Sequence, residues 1–216
     1  MTKKQPLIPN AYYHIYNRGN NREDIFIQDE NYRFFLQRYL QYIEPIAFTY
    51  AYCLLPNHFH FLVRIRNVEE QIGAETNIIS IREENVADQD KTGKLIEGLD
   101  PSRQFSNLFN AYAKSINKAY DHTGSLFEGR FKRVQVDSQE QLLHLIVYIH
   151  RNPEKHGIVD DFRDWPYSSY IAMLSSKSTK VMRSEVLDLF QGVDAFVDAH
   201  EIDEDFKILS LIEKTP

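Results

Sequence analysis

The sequence predicts an α+β fold in which one antiparallel sheet packs against helices on one face. Two observations predict this class. Segments with apolar residues at every second position alternate with longer segments in which apolar residues recur every three to four positions. A Pro-Asn pair at 56–57 also joins two neighbouring strand segments, which favours an antiparallel hairpin. The predicted order is strand, helix, strand, strand, helix, strand, helix.

The first half of the chain supplies the first four of these elements. Residues 11–17 are rich in aromatic residues and end at the Gly/Asn cluster of "NRGNNR", which predicts a strand followed by a loop. Apolar residues at helical spacing predict a helix over 29–45, with Pro45 as its stop. Residues 46–55 and 58–66 are the two strands of the predicted hairpin.

The second half supplies the other three elements. An apolar stripe predicts a helix from Ser102 to about Asp121. The segment 125–136, "SLFEGRFKRVQV", is predicted as a strand that carries several basic residues. A third helix is predicted to begin at Ser138, where Ser-x-x-Gln matches a capping box.

The charge is distributed unevenly along the 216 residues, and this predicts the domain organisation. Two segments, 67–101 and 157–216, each carry a net charge of −6, whereas the remaining two segments each carry +3. We therefore expect one domain over 1–156, interrupted by a partly mobile acidic insert at 67–101, and a separate acidic helical extension over 157–216. The basic segments also hold most of the aromatic residues, a mixture suited to nucleic acid, although solvated faces would give the same composition.

The composition also predicts a compartment. The single cysteine, Cys53, excludes an internal disulfide framework. The start "MTKKQPLIPN" has no apolar stretch typical of a signal peptide, and no run approaches the ~20 apolar residues of a membrane span. We therefore expect a cytoplasmic protein with no membrane association.

Two histidines on the third strand are candidate metal ligands. In "LLPNHFHFLVRI" the aromatic and aliphatic residues occupy one face, and His58 and His60 leave the other face about 6–7 Å apart at the backbone. Both imidazoles can therefore reach one ion, but two histidines do not complete a site. A His-x-His pair on a strand is more often structural, so a third ligand is needed.

The third helix offers that ligand and a nucleophile. Tyr148 and Asn152 are four residues apart on its polar stripe, so they share one face if the helix continues past Asn152. Asn152 precedes Pro153, and the residue before a proline disfavours helical geometry, so the sequence leaves open whether the helix ends there. A phenol beside a two-histidine metal site suits phosphodiester cleavage through a phosphotyrosine, which permits strand transfer. A single tyrosine on a helix is nevertheless more often a packing residue.

These motifs resemble those of the HUH-type single-tyrosine transposases, and most closely the REP-associated tyrosine transposases, an IS200-like family. The resemblance covers about 11–174 and depends on "YHIYNRGNNREDIF", "LLPNHFHFLV", "GSLFEGRFK", "YIHRNPEKHGIV" and "DWPYSSY". It implies a ferredoxin-like sheet and a divalent metal, Mg²⁺ or Mn²⁺. It further implies cleavage beside hairpins in single-stranded DNA, leaving a 5′-phosphotyrosine and a free 3′-OH.

The resemblance assigns roles residue by residue. His58, His60 and Asn152 would be the metal ligands, and Tyr148 would be the catalytic nucleophile. Some relatives are dimers in which different chains supply tyrosine and histidines, so a monomer and a homodimer both remain open. We predict that five basic residues line the path of the DNA strand: Arg18, Arg22, Arg130, Lys132 and Arg133.

Two other classes of function remain open from the sequence. The first is a domesticated regulatory protein that binds DNA hairpins but no longer cleaves them. The second is a metal-dependent hydrolase of small phosphoesters, which would need no basic strand path and would form no covalent intermediate. Co-occurrence of the histidine pair with Tyr148 favours the transposase.

Overall fold

The computed structural model describes residues 6–71 and 98–202. The acidic insert predicted over 67–101 therefore lies mostly outside the described residues, as does the end of the extension beyond 202. Within the described part of the chain, no helix is both long and apolar enough to cross a membrane.

A four-stranded antiparallel sheet forms the centre of the molecule. Its strands are β1 (Tyr12–Arg18), β2 (Ala47–Leu55), β3 (His58–Ile65) and β4 (Lys132–Val136). They lie in the order β2-β3-β1-β4, and every neighbouring pair is antiparallel. The predicted α+β class with a ferredoxin-like antiparallel sheet is confirmed, because strands from both halves of the chain interleave around β1 and β3.

Two helices cover one face of this sheet, as predicted. They are α1 (Asp29–Ile43) and α2 (Pro101–Ala119). Helix α2 begins slightly before the predicted Ser102 and is capped by Asp100, whose side chain accepts from the backbone N–H of Ser102 at 2.8 Å. The odd-numbered residues of β1 and β3 point to this side and form an aromatic core with the helices. Its fully buried members include Phe35, Phe59, Phe61, Phe105 and Tyr112.

The third helix, α3 (Gln139–Lys155), packs on the opposite face, which corrects the prediction that helices cover only one face. Leu55 and Leu62 of the hairpin point to that face and are completely buried against Leu145 and Ile149 of α3. Because β2 and β3 are apolar on both faces along much of their length, each face needs a helix to exclude water. This arrangement places α3 directly over the strand that carries the histidines.

The described part of the acidic extension packs against α3 and is no separate tail. It contains three short α-helices: α4 (Tyr170–Leu174), α5 (Arg183–Leu189) and α6 (Val193–Glu201). Tyr170 and Phe196 belong to the same buried cluster as α3 and β2, while the acidic residues of these helices remain outside. The net charge of a segment therefore did not reveal its buried apolar face. The division at residue 156 remains a prediction.

The last strand is shorter than predicted. Only Lys132–Val136 pairs with β1, whereas 125–131 forms a loop with an isolated bridge between Gly19 and Phe127. Gly124 and Gly129 have φ angles of 98° and 120°, which extended backbone does not allow. The loop turns Glu128 towards Arg18 at the end of β1.

Candidate active site

The histidine pair lies on the face of β3 that meets α3. His60 is opposite Tyr16 of β1 in the register, and His58 is opposite Arg18. The ring centroids of His58 and His60 are 5.2 Å apart and their planes are nearly perpendicular, at 88°. The two-residue period thus places both imidazoles in one site, as the sequence predicts.

Helix α3 supplies the other half of the site. It begins at Ser138, whose hydroxyl accepts from the backbone N–H of Gln141 at 3.1 Å, as predicted for a cap. Of the two ends that the sequence left open, the structure has the later one, because the helix continues through Asn152 and Pro153 to Lys155. Tyr148 and Asn152 therefore stand one turn apart on the face towards the sheet.

The four predicted residues come together across the boundary between helix and sheet. His58 Nε2 lies 3.3 Å from Asn152 Oδ1. The rings of His60 and Tyr148 meet edge to face, with centroids 5.6 Å apart and an interplanar angle of 84°. Two residues of one strand and two of one helix thus converge, although 88 positions separate His60 from Tyr148 in the chain.

Neighbouring side chains orient both candidate ligands. His14 Nε2 lies 2.9 Å from His60 Nδ1, and Asn57 Oδ1 lies 2.6 Å from His58 Nδ1. The His14 ring also stacks on Tyr16, with centroids 4.6 Å apart. Hydrogen bonds of this kind fix ring orientation and tautomer at metal sites, which is the role available to His14 and Asn57 here.

Burial keeps these imidazoles neutral. Desolvation, with a smaller contribution from His156, lowers the pKa of His58 to about 4. Desolvation lowers the pKa of His60 well below its ordinary value, and the neighbouring His14 lowers it further. Desolvation lowers the pKa of His14 to about 3. At neutral pH each ring therefore has a lone pair, the form in which histidine binds metal.

The contact between His58 and Asn152 fits a cation. A neutral imidazole donates through one nitrogen only, and Asn57 Oδ1 at 2.6 Å takes the proton of His58 Nδ1. His58 Nε2 then presents a lone pair to the carbonyl oxygen of Asn152, and the Asn152 amide nitrogen is buried without a hydrogen-bond partner. The lone pairs of His58 Nε2 and Asn152 Oδ1 repel each other. Either a cation between these two atoms or a flipped Asn152 amide removes the repulsion.

The donor set also fits a divalent ion. Two imidazole nitrogens and one amide oxygen suit Mn²⁺, with room for phosphate and water in the open positions. Within the described residues, no three His, Cys, Asp or Glu side chains cluster as a metal site. Asparagine is therefore the third donor that this geometry offers, and the residues present fit the group that the sequence motifs imply.

A cavity of about 490 Å³ opens in front of these residues. Its walls combine β1, β3, β4 and the end of α3. The lining residues are Tyr16, Asn17, Arg18, Arg22, Asn57, His58, His60, Lys132, Tyr148, Lys155 and His156. Four of them are arginines or lysines, so the cavity attracts anions although the whole chain has a net charge of −6.

Three of the five predicted DNA-contacting residues line this cavity: Arg18, Arg22 and Lys132. Arg18 is paired with Glu128, which holds the pKa of its guanidinium above the ordinary value. Arg130 is exposed in the loop before β4. Arg133 is opposite Ile15 in the register, donates to Ser102 Oγ at 2.6 Å and lies on the other face of the sheet. The structure therefore gives no support to Arg133 as a contact of the same strand path.

Sequence reasoning missed several residues of this site, among them His14, Lys155 and His156. His14 supports His60 from β1, and the Lys155 ammonium lies 5.0 Å from the ring centroid of Tyr148. The His156 ring lies 4.8 Å from that of His58. The signal for His156 is its spacing of four from Asn152, once the helix is known to continue past Pro153. His14 could be found only from the pairing of β1 with β3.

Known proteins include a relative of this chain. No family model matches the sequence. A curated REP-associated tyrosine transposase of Haemophilus influenzae is 27% identical over 137 residues, which are 63% of this chain and 66% of that protein. The chain therefore matches just under two thirds of the relative's length.

A solved structure shares the fold. It is a REP-associated tyrosine transposase bound to a REP hairpin, with a TM-score of 0.54 and 17% sequence identity. The match covers 82% of this chain and 86% of that one.

The fold and the site define a small α+β domain in which a His-x-His strand faces a helix with a single tyrosine. In sequence and in fold, this chain is similar to REP-associated tyrosine transposases.

Proposed function

We propose that this protein is a transposase that binds hairpins in single-stranded DNA and cleaves the strand beside them. The observation that carries the proposal is the convergence of Tyr148, the histidine pair and Asn152 in one basic cavity. The named relatives support it, since one of them is described in complex with a REP hairpin. The reaction is strand cleavage and transfer through a covalent protein–DNA intermediate.

Tyr148 is the nucleophile of the proposed reaction. Its phenolic oxygen forms a bond to phosphorus while the bond from phosphorus to the 3′ oxygen breaks in line. The phenol loses its proton as this bond forms, the 5′ phosphate of the DNA is then esterified to the tyrosine, and the leaving 3′ oxygen takes up a proton to become a free hydroxyl. Because the phosphodiester energy is kept in the phosphotyrosine, another 3′-OH can reverse the step and join a new strand.

His58, His60 and Asn152 would hold the metal, Mg²⁺ or Mn²⁺. When bound, the divalent ion would polarise a nonbridging phosphate oxygen, which makes phosphorus more electrophilic. His14 and Asn57 hold the two imidazoles in the orientation that this task needs, and burial keeps both rings neutral. The buried position of His60 also limits competing water at that side of the site.

The basic residues of the cavity would hold the DNA backbone. Arg22, Lys132 and Lys155 supply positive charge within the space that a scissile phosphate would occupy. Arg18 is neutralised by Glu128, so a phosphate would replace a carboxylate as its partner. Tyr16, half-buried beside the histidines, offers a ring face to a base.

One chain is sufficient for the proposed chemistry. Tyr148 meets the histidines of its own β3, so no second copy is needed to complete the site. Of the two oligomeric states left open by the sequence, a catalytically competent monomer is the one that this geometry favours. A dimer that exchanged its α3 helices would place the same residues in trans.

The proposal is tested with a library of labelled single-stranded hairpins, incubated with Mn²⁺ and analysed on a denaturing gel. A DNA–protein adduct is expected with the wild type and is expected to disappear with a chelator or with Tyr148→Phe. Tyr42→Phe, on α1 and outside the cavity, is the matched control and should form adduct normally. Hairpin binding without any adduct would instead identify a non-cleaving regulatory binder.

A further inference from the structure

Behind Tyr148, outside the cavity, three completely buried polar side chains form a chain of hydrogen bonds. Ser169 Oγ lies 2.8 Å from His150 Nε2, and His150 Nδ1 lies 2.9 Å from His200 Nε2. His200 Nδ1 lies 2.7 Å from the backbone carbonyl of Phe196. These residues come from α3, the loop before α4, and α6. These hydrogen bonds thus connect α3, which carries Tyr148, to α6, the last described helix.

The direction of every bond in this chain is determined. A carbonyl only accepts, so His200 Nδ1 donates to Phe196 O, and neutral His200 must then accept at Nε2. His150 therefore donates from Nδ1 to His200 and accepts at Nε2 from the Ser169 hydroxyl. The Ser169 oxygen accepts in turn from the backbone N–H of Tyr52 at 2.9 Å. A buried chain in which every member is satisfied fixes one arrangement of its elements.

The hydrogen bonds of His150 hold the face of α3 that is opposite to Tyr148 and Asn152. An α-helix turns about 100° per residue, so His150 points roughly 200° away from both Tyr148 and Asn152. Its ring therefore anchors the side opposite to the reacting groups. Next to it, Arg151 Nη1 donates to the carbonyl of Ile202 at 3.2 Å, a second bond from α3 to the end of α6.

The last turn of α3 needs this support. Pro153 has no N–H, so it cannot bond to the carbonyl of Ile149 and weakens the helix at the turn that carries Asn152. In an isolated helix, the residue before proline would leave helical geometry. The helix nevertheless continues to Lys155, and the contacts of His150 and Arg151 to α6 lie at this turn.

We propose that His200 is a positioning residue, which acts through His150 to hold α3 so that Tyr148 and Asn152 face the histidine pair. The acidic C-terminal segment is then an integral brace of the site. The catalytic roles of the residues that His200 positions rest on the proposed function. The effect of His200 on the position of α3 does not depend on that function. His200 does not line the cavity, so its removal is expected to change the rate of adduct formation and not the affinity for the hairpin.

Hydrogen exchange tests the brace without any activity. His200→Leu removes the acceptor of His150, whereas His200→Gln retains an oxygen acceptor, and Asp198→Asn changes an exposed residue of the same helix as control. Exchange at backbone amides of 149–156 is expected to accelerate up to about tenfold in His200→Leu, relative to β1 and β3. His200→Gln and Asp198→Asn should remain close to the wild type.

Unchanged protection of 149–156 in His200→Leu would overturn the inference, as would an equal acceleration in α3 and the sheet, which would show general destabilisation only. If His200→Leu does not fold, Ser169→Ala is used instead. This variant removes the hydrogen bond from Ser169 to His150, and the same exchange results are expected.

Cleavage supplies the second readout. The single-turnover rate of adduct formation is expected to fall at least about tenfold in His200→Leu and to recover in His200→Gln. The hairpin Kd, measured in a Tyr148→Phe background, should not change. An unchanged rate, or a loss confined to affinity, would contradict the inference. A wild type that makes no adduct contradicts the proposed function instead, and the exchange experiment still decides the role of His200.

Discussion

At the scale of single residues, the proposed chemistry depends on the lone pair of His58. Asn57 occupies one ring nitrogen, and the other faces the carbonyl oxygen of Asn152 at 3.3 Å. Two acceptors at this distance are unfavourable without a cation or a donor between them. The same contact would become favourable once both atoms bind one metal ion, so metal binding and the orientation of Asn152 should be linked.

This linkage predicts the metal affinity of variants. His58→Ala is expected to weaken Mn²⁺ binding at least about 10- to 100-fold, because it would remove a proposed ligand and not merely a supporting hydrogen bond. The affinity is measured by titration with electron paramagnetic resonance of free Mn²⁺. His122→Ala, which changes a histidine outside the cavity, is the control. Equal Mn²⁺ affinity in both variants would refute the assignment of His58.

The two neighbouring cations of β4 predict a difference in DNA binding. Lys132 lines the cavity, and Arg133 lies on the other face of the sheet. Lys132→Gln should weaken hairpin binding and reduce the slope of log affinity against log salt by about 1, as expected for one lost phosphate contact. Arg133→Gln should leave this slope unchanged, even where it reduces stability through the lost bond to Ser102. The reverse result would place the DNA on the other face.

At the scale of elements, α3 combines two opposing signals. Its N-terminus is strongly fixed by Ser138, while Pro153 weakens its last turn. The helix reaches Lys155 because packing against β2 and α6 outweighs the local preference of the residue before proline. Tertiary contacts therefore decide where the site helix ends.

The capping bond gives a stability prediction for this element. Ser138→Ala should lower the free energy of unfolding by about 1 kcal/mol, because the N–H of Gln141 loses its acceptor. Urea denaturation measures the loss. Thr123→Ala in the exposed loop after α2 is the control and should change the free energy by less than about 0.5 kcal/mol. A neutral Ser138→Ala would show that the cap contributes little to this helix.

Most elements could be predicted from the sequence because their apolar periods are regular. The histidine pair and the spacing of Tyr148 and Asn152 follow from these periods alone. The face on which α3 packs could not be predicted, since periodicity shows which residues are buried but not against what. For the same reason His14, which approaches His60 only through strand pairing, was missed.

At the scale of the whole molecule, the buried histidines couple stability to pH. Desolvation lowers the pKa of His14 to about 3 and of His200 to about 4, and it lowers that of His150 well below the ordinary value. Below pH 6.5 the unfolded chain takes up protons that the folded protein does not bind. Stability is therefore fully present above pH 6.5 and is lost as the pH falls towards 4.

The expected loss is large enough to measure. Each buried histidine should cost on the order of 2 kcal/mol between pH 6.5 and pH 5, which urea denaturation at the two pH values would show. His200→Gln should flatten this dependence, because one titrating group is removed while the bond to His150 can persist. A free energy of unfolding that does not change over this interval would contradict the burial of neutral imidazoles.

The central claim is that Tyr148 attacks the DNA, and mass spectrometry of the adduct tests it most directly. The tryptic peptide 134–151 contains Tyr148 as its single tyrosine. Digestion of the adduct with trypsin and nuclease should give this peptide with a nucleotide attached to Tyr148 through its 5′-phosphate, and the released strand should end in a 3′-OH. A nucleotide on any other residue, or a released strand ending in a 3′-phosphate, would contradict the account.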